Sequence, residues 1–380
     1  MQTPAASTSL SVNERILLGP GPSLMSPRVM KALAAPMLSH LDPQFVEIMD
    51  DVRARLGRVF QAPEGSFAFA VSGTGTSAME TAIANLVGPG TRVLSVVTGY
   101  FADRLAQMAT RYGGDVKRVE AEWGRAIDPE QVRQALKASR ADVVTIVHAE
   151  TSTGVLNPVQ QVAAIAREHG ALVIVDAVTS LGGMPLDVAG WGLDAVYSCS
   201  QKCLGAPPGA SPIVFSPRAL EKKVACRSFY FDVALLEDYW VRRKYHHTMS
   251  ASLIYALREA LATVEEEGLQ NRWARHEKNH LAFLKAIEPI GLSVLPSPSE
   301  RLWTLNAVKV PQGVDDAAVR KYLLQNYNIE IGAGLGPLAG KVFRIGLMGT
   351  SSSQELVDLL AGAMEKALNS LVQGLHKTGA

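Results

Sequence analysis

Ala171-Leu-Val-Ile-Val-Asp176-Ala177 is an unbroken apolar run closed by an acid, and its reading decides the fold. Residues 143–147, Val-Val-Thr-Ile-Val, form a second run almost as pure. Runs rich in Val and Ile without polar alternation suit central strands buried on both faces, as in parallel sheets. Working outward, short apolar runs at 67–71 and 93–97 alternate with helical patterns at 77–87, 101–112, 129–138 and 158–169. That alternation predicts βαβ units, hence an α/β fold with a mostly parallel central sheet and flanking helices. Past about residue 250 the texture changes. Helical stretches at 250–267 and 269–287 precede the break Pro296-Ser-Pro298, and strand-like and helical segments then alternate at 303–310, 315–326, 341–345 and 353–371. A smaller C-terminal α/β domain is expected, with an arm over 1–20, a large domain over 21–266 and the small one over 267–380.

Composition narrows the function classes. With 47% apolar and 19% charged residues in 380, the chain is of globular type. The net charge is +1 and the longest Lys/Arg run is the three residues Arg242-Arg243-Lys244, so a nucleic-acid or membrane-surface partner is not expected. Three cysteines, Cys199, Cys203 and Cys226, are too few for a secreted disulfide framework. Cys199 and Cys203 with His246 and His247 lack finger-like spacing, so no metal is expected. No apolar run approaches the length of a membrane span. Residues 1–15 lack a signal pattern and the terminal His-Lys-Thr-Gly-Ala is no peroxisomal address, which makes the cytoplasm the expected location.

Three segments carry candidate chemistry. Val71-Ser-Gly-Thr-Gly-Thr-Ser-Ala78 follows a strand and opens a helix, where glycines and free N–H groups suit a phosphate. It is either such a cradle or a plain turn and N-cap. Gly73, Gly75 and Ala78 match a dinucleotide spacing, but the next strand ends in Thr98-Gly99 with no acid to hold a ribose. Asp176 either caps a neighbouring helix or keeps a pyridine nitrogen protonated, since a buried carboxylate needs a partner. Lys202, in Tyr197-Ser-Cys-Ser-Gln-Lys202 before Pro207-Pro-Gly209, is either solvated or an amine whose burial favours imine formation. Taken in order, a phosphate cradle, a pyridinium partner and a Schiff-base amine are what pyridoxal phosphate requires.

The chain resembles the class V, fold-type I aminotransferases, and within them the alanine–glyoxylate (serine–pyruvate) group. The similarity runs from Leu17-Leu-Gly-Pro-Gly-Pro-Ser23 to Phe343-Arg344-Ile345-Gly346, and is close at 148–156, Ser180-Leu-Gly-Gly183, Ser200-Gln-Lys202, Ala206-Pro-Pro-Gly209 and Tyr245-His-His-Thr248. The resemblance implies pyridoxal 5'-phosphate as cofactor, on Lys202, with Asp176 at the pyridinium. It implies Thr74, Gly75, Thr76 and Gln201 around the phosphate, and Tyr245 and Thr248 reaching the same phosphate across a homodimer interface. Phe101 stands where a tryptophan commonly stacks on the ring, Thr151 replaces a serine, and Thr76 stands where close relatives carry histidine. Arg344 matches the arginine that grips the substrate carboxylate, and the Gly19-Pro-Gly21 backbone lines the substrate site.

The implied reaction is ping-pong transamination between alanine or serine and glyoxylate or pyruvate, with Lys202 as proton shuttle. Serine–glyoxylate and ureidoglycine–glyoxylate transfer are the nearest alternatives; in the latter an amide tends to occupy the place of Tyr245. A cysteine desulfurase needs a thiol on a C-terminal loop, and no cysteine follows Cys226. Outside this class stand an NAD-binding protein and a non-catalytic homologue.

Overall fold

In the computed structural model, which describes residues 10–377, the apolar run ending in Asp176 is the strand Leu172–Asp176, buried along its whole length. Residues 1–9 of the expected arm and 378–380 of the C-terminal address lie outside the described residues. The strand sits in a seven-stranded sheet ordered Phe67–Gly73, Gly209–Phe215, Ala195–Tyr197, Leu172–Asp176, Val143–Val147, Arg92–Val97, Asp115–Glu120. Gly209–Phe215 runs antiparallel to both neighbours, and the other pairings are parallel. Register aligns Val147, Asp176 and Tyr197 in one row, so three strands finish at one level. Helices including Gly75–Leu86, Tyr100–Arg111, Pro129–Ala138 and Val159–Glu168 follow the parallel strands, close to their expected limits.

Helix starts obey local chemistry. Ser26-Pro27, Asp42-Pro43, Asp128-Pro129 and Ser216-Pro217 each join a side-chain cap to a proline that needs no hydrogen-bond partner. The helix Pro43–Val59, upstream of the predicted segments, buries Phe45, Met49, Val52, Leu56 and Val59 as one stripe against the sheet core. The edge strand Asp115–Glu120 writes no apolar run, because most of its side chains face solvent.

A second core lies around the antiparallel strands Leu305–Lys309, Val342–Gly346 and Gly332–Ala333, packed by Asp316–Tyr327 and Gln354–Lys377. Gly268, at φ +79°, separates the helix Ala251–Glu267 from Leu269–Ile287, whose Phe283 and Ile287 join this second core. The chain start is tied here too. Ile16–Leu17 pairs with Ile329–Glu330, and Leu18 is buried among the second core's side chains. Among the described residues, no helix is long and apolar enough to cross a membrane, and no three His, Cys, Asp or Glu side chains cluster as metal ligands.

Candidate active site

The parallel strands end on one edge of the large sheet, where ligands of open α/β sheets bind. Asp176 closes its strand there. Lys202 follows Ala195–Tyr197, Thr151 follows Val143–Val147, Phe101 opens the helix after Arg92–Val97, and Thr74 to Thr76 follow Phe67–Gly73. With Gln201 and Arg104 they line a single cavity of about 150 Å³. That is about the space that admits one aromatic ring.

Asp176 is 3% exposed and accepts hydrogen bonds from the Val178 N–H at 2.8 Å and the Tyr197 hydroxyl at 2.9 Å. Burial pushes its pKa up to about 7; these bonds and the Lys202 charge pull it down by less. Neither donor belongs to a helix N-terminus, so Asp176 is no helix cap.

Lys202 is part-buried, with Nζ donating to the Pro20 carbonyl. Burial lowers its pKa, and the nearby Arg344 charge presses the same way. A Cβ at Gly21 would lie 2.5 Å from Lys202 Nζ, and Gly21 sits at φ +109°. Glycine is therefore required on two counts: its backbone crosses directly over the amine.

The phosphate-side segment begins the helix Gly75–Leu86. Thr74 is its N-cap without a side-chain capping bond, and a Cβ added to Gly75 would meet Val178 Cγ2 at 3.1 Å. Beside it the buried Gln201 Oε1 has no partner among the described residues. An unpartnered buried amide at a cavity wall is costly without a polar ligand. Thr151, buried, shares a hydrogen bond with the Thr179 hydroxyl.

Arg344 stands on Val342–Gly346, 9% exposed, with Nε donating to the Ala333 carbonyl at 2.6 Å. Among the described residues it forms no salt bridge, and burial lowers its pKa to about 10. It is not part of the cavity wall, and neither is Gly21. Tyr245 (65% exposed) and Thr248 also stand apart from the cavity and face solvent within one chain.

Two further groups join the site that the sequence reading does not name. Glu150, fully buried, accepts from Phe101 N (3.4 Å), Ala102 N (3.1 Å), Ser152 N (3.1 Å) and Ser152 Oγ (2.6 Å). Burial raises its pKa while these donors oppose the rise. Gly99 leaves room for it, since a Cβ there would lie 2.6 Å from Glu150 Cγ. This latch fixes Phe101 relative to Thr151, which lies between Glu150 and Ser152. The second is Arg272, whose Nη2 donates to the Cys203 carbonyl at 2.6 Å while Nη1 pairs with Glu267. It ties the Leu269–Ile287 helix to the residue after Lys202. An acid just past a buried strand is the available signal for Glu150; nothing local marks Arg272. A larger groove of about 1080 Å³ near Pro27–Leu33 holds surface ion pairs such as Arg258–Asp51, remote from these groups.

The family model for Aminotransferase class-V matches residues 21–360. The chain belongs to the class-V aminotransferases. This aminotransferase is 39% identical over 376 residues to the alanine–glyoxylate aminotransferase of Drosophila melanogaster, covering 96% of the present chain and 95% of that one. Its fold matches the crystal structure of an alanine–glyoxylate aminotransferase from Nostoc sp. at TM-score 0.92 and 48% identity, over 96% and 98% of the two chains. The ureidoglycine–glyoxylate aminotransferase of Bacillus subtilis matches at TM-score 0.93 and 36% identity, over 95% and 94%. Both the α/β architecture and the fold-type I relationship expected from the sequence are thereby shown, and the dinucleotide-like spacing at 73–78 belongs to an aminotransferase. The reaction class is transfer of an amino group between an amino acid and an oxo acid.

The perturbed Asp176 yields a pH signature in the cofactor-free chain. Its native pKa of about 7 exceeds the ordinary 3.8, so between those values the native state holds a proton that the unfolded chain releases. Native stability relative to Asp176→Asn should therefore fall as pH rises through that window. Thermal midpoints of the two proteins across the range check this; parallel curves would contradict it.

Proposed function

We propose that this chain is a pyridoxal-phosphate-dependent aminotransferase that moves the amino group of a small amino acid, alanine or serine, to glyoxylate or pyruvate. The carrying observation is the convergence of the Lys202 amine, the buried Asp176 carboxylate and a helix start on one ring-sized cavity. Its residues fit the cofactor. The first turn after Thr74, with Gly75, Thr76 and the unpartnered Gln201 amide, suits a phosphate. Phe101 supplies an aromatic wall, Thr151 a hydroxyl, Asp176 an anion for the ring nitrogen, and Lys202 an amine for the aldehyde carbon.

When bound, pyridoxal phosphate supplies the conjugated ring into which negative charge at the substrate α-carbon spreads. The protein's residues do the rest. Asp176, raised by burial, ionises against a protonated ring nitrogen and keeps that proton in place. Arg344 spends Nε on the Ala333 carbonyl and forms no salt bridge among the described residues, so its remaining donors hold the substrate carboxylate and fix the α-carbon. Lys202 Nζ would hold the cofactor through its aldehyde carbon and, as a free amine, would take the substrate α-proton. Burial disfavours its charged form, the direction that task needs. The oxo product leaves before the acceptor enters, giving ping-pong kinetics.

Alanine and glyoxylate are supported by the named relatives, since the Drosophila and Nostoc proteins are alanine–glyoxylate enzymes; serine rests on the family resemblance alone. The active unit in this reading is a homodimer. Tyr245 and Thr248, solvent-facing in one chain, reach the partner's phosphate site. Exposed Phe229 stacks on His246 at 5.1 Å, and Tyr245 lies 5.4 Å from His40, so an aromatic patch surrounds the reaching residues. Free Cys199, Cys203 and Cys226 suit the reducing cytoplasm.

Three experiments test the reading. Purified protein should show a visible imine band that borohydride fixes covalently on Lys202, and Lys202→Ala should lose both band and turnover; transamination by that variant would sink the assignment. In Arg344→Ala, kcat/KM for alanine and glyoxylate should fall at least about a hundredfold, from loss of a charged hydrogen-bond pair. Unchanged kinetics, or ureidoglycine preferred over alanine in the wild type, would refute the substrate assignment. The chain should sediment at twice its own mass, and Tyr245→Ala should weaken cofactor retention; a monomer that retains cofactor fully would overturn the shared site.

A further inference from the structure

We infer that Arg104 is a cofactor-phosphate residue of this site, supplying the charge compensation that the loop at Thr74 to Thr76 lacks. The inference rests on the pyridoxal-phosphate reading above. Among the side chains lining the cavity, the cations are Lys202 and Arg104. Lys202 is needed at the aldehyde carbon, so it is not free to balance a phosphate dianion. Thr74, Gly75, Thr76 and Gln201 are neutral, offering hydrogen bonds and a helix N-terminus worth only a fraction of a charge.

Arg104 is placed for the task. It lies in the first turns of Tyr100–Arg111, and its Nη1 approaches Thr76 Oγ1 at 3.3 Å. The guanidinium carbon sits 5.3 Å from the Tyr100 ring centroid and 5.2 Å from that of Phe101. Those rings hold the guanidinium by cation–π attraction without consuming its donors. Among the described residues Arg104 pairs with no carboxylate, although the neighbouring Asp103 and Arg118 pair with each other. An arginine held against two aromatic rings at a phosphate-side threonine, with donors to spare, suits a phosphate. The same side chain packs Phe101, so it links the phosphate end of the cofactor to its ring end.

The test compares pyridoxal phosphate with pyridoxal, which lacks only the phosphate ester. Dissociation constants are measured by titration calorimetry on full-length cofactor-free wild type, Arg104→Met and Arg104→Lys. In wild type the phosphate ester should bind far more tightly. Arg104→Met should narrow that preference about ten- to hundredfold, the loss expected for one charge-assisted contact, with pyridoxal affinity nearly unchanged. Arg104→Lys should recover part of the preference. Equal weakening of both ligands would show that Arg104 only packs Phe101, and unaltered affinities would show no contact; either result overturns the proposal. A preserved ratio with a raised KM for the oxo acid would assign Arg104 to substrate and overturn it as well. Wild type that binds neither aldehyde would fail earlier, at the cofactor reading itself.

Discussion

The Lys202 amine sits beneath the backbone of Gly21, and much of the molecule serves to keep that crossing in place. The lysine comes from the large sheet's edge, whereas the covering loop comes from the chain start. Its position is fixed at both ends. Leu18 donates to the Glu330 carbonyl and accepts from Gly346 N, while Ser23 N and Oγ donate to the carbonyls of Gln201 and Lys202. Residues 16–23 thus stitch the second sheet to the lysine loop. At φ +109° position 21 favours glycine, and any side chain there would displace the Lys202 side chain; the amine loses water and forms no salt bridge among the described residues. That desolvation lowers its pKa, which a nucleophilic amine at neutral pH requires.

The same edge holds the opposite perturbation. Burial pushes the Asp176 carboxyl up and the Lys202 amine down, because in each case the charged form is the one that loses water. A fold that only maximised stability would pair these groups or replace them by apolar side chains. Instead Asp176 bonds to Val178 and Tyr197, Lys202 to Pro20, and Arg344 to Ala333, each satisfied in part. Of these, Asp176 and Lys202 line one cavity, and partly satisfied buried charges around one space are a signature of a site built for a ligand.

How far the sequence disclosed this depended on whether a residue's meaning was local. Residues 143–147 and 172–176 were legible as strands because burial on both faces writes a continuous apolar run. Gly209–Phe215 was not, since Pro212 at its centre argues against an inner strand. The structure resolves the conflict: the Pro212 carbonyl still accepts from Ser198 N, and proline forfeits only its own donor. Asp176 and Lys202 were legible through chain order and family likeness. Glu150 and Arg104 were not, because their roles arise from contacts with residues 99–102 and with Thr76, distances no periodicity encodes.

The two cores divide the chemical labour. Groups suited to a flat ring and its phosphate all descend from the large sheet, whose strands are locked by register and by helices on both sides. Arg344, suited to the carboxylate that amino-acid and oxo-acid substrates share, stands on the small three-stranded sheet. The Arg272 bond to Cys203 joins the two near the lysine, and the Arg275 bonds to the Gly349 and Ser352 carbonyls brace the C-terminal side of that junction. Gly349 has no room for a side chain, as a Cβ there would lie 2.9 Å from the Cys203 carbonyl oxygen. The strand that bears Arg344 and the loop that bears Lys202 are in this way packed against each other, although the two side chains share no hydrogen bond among the described residues.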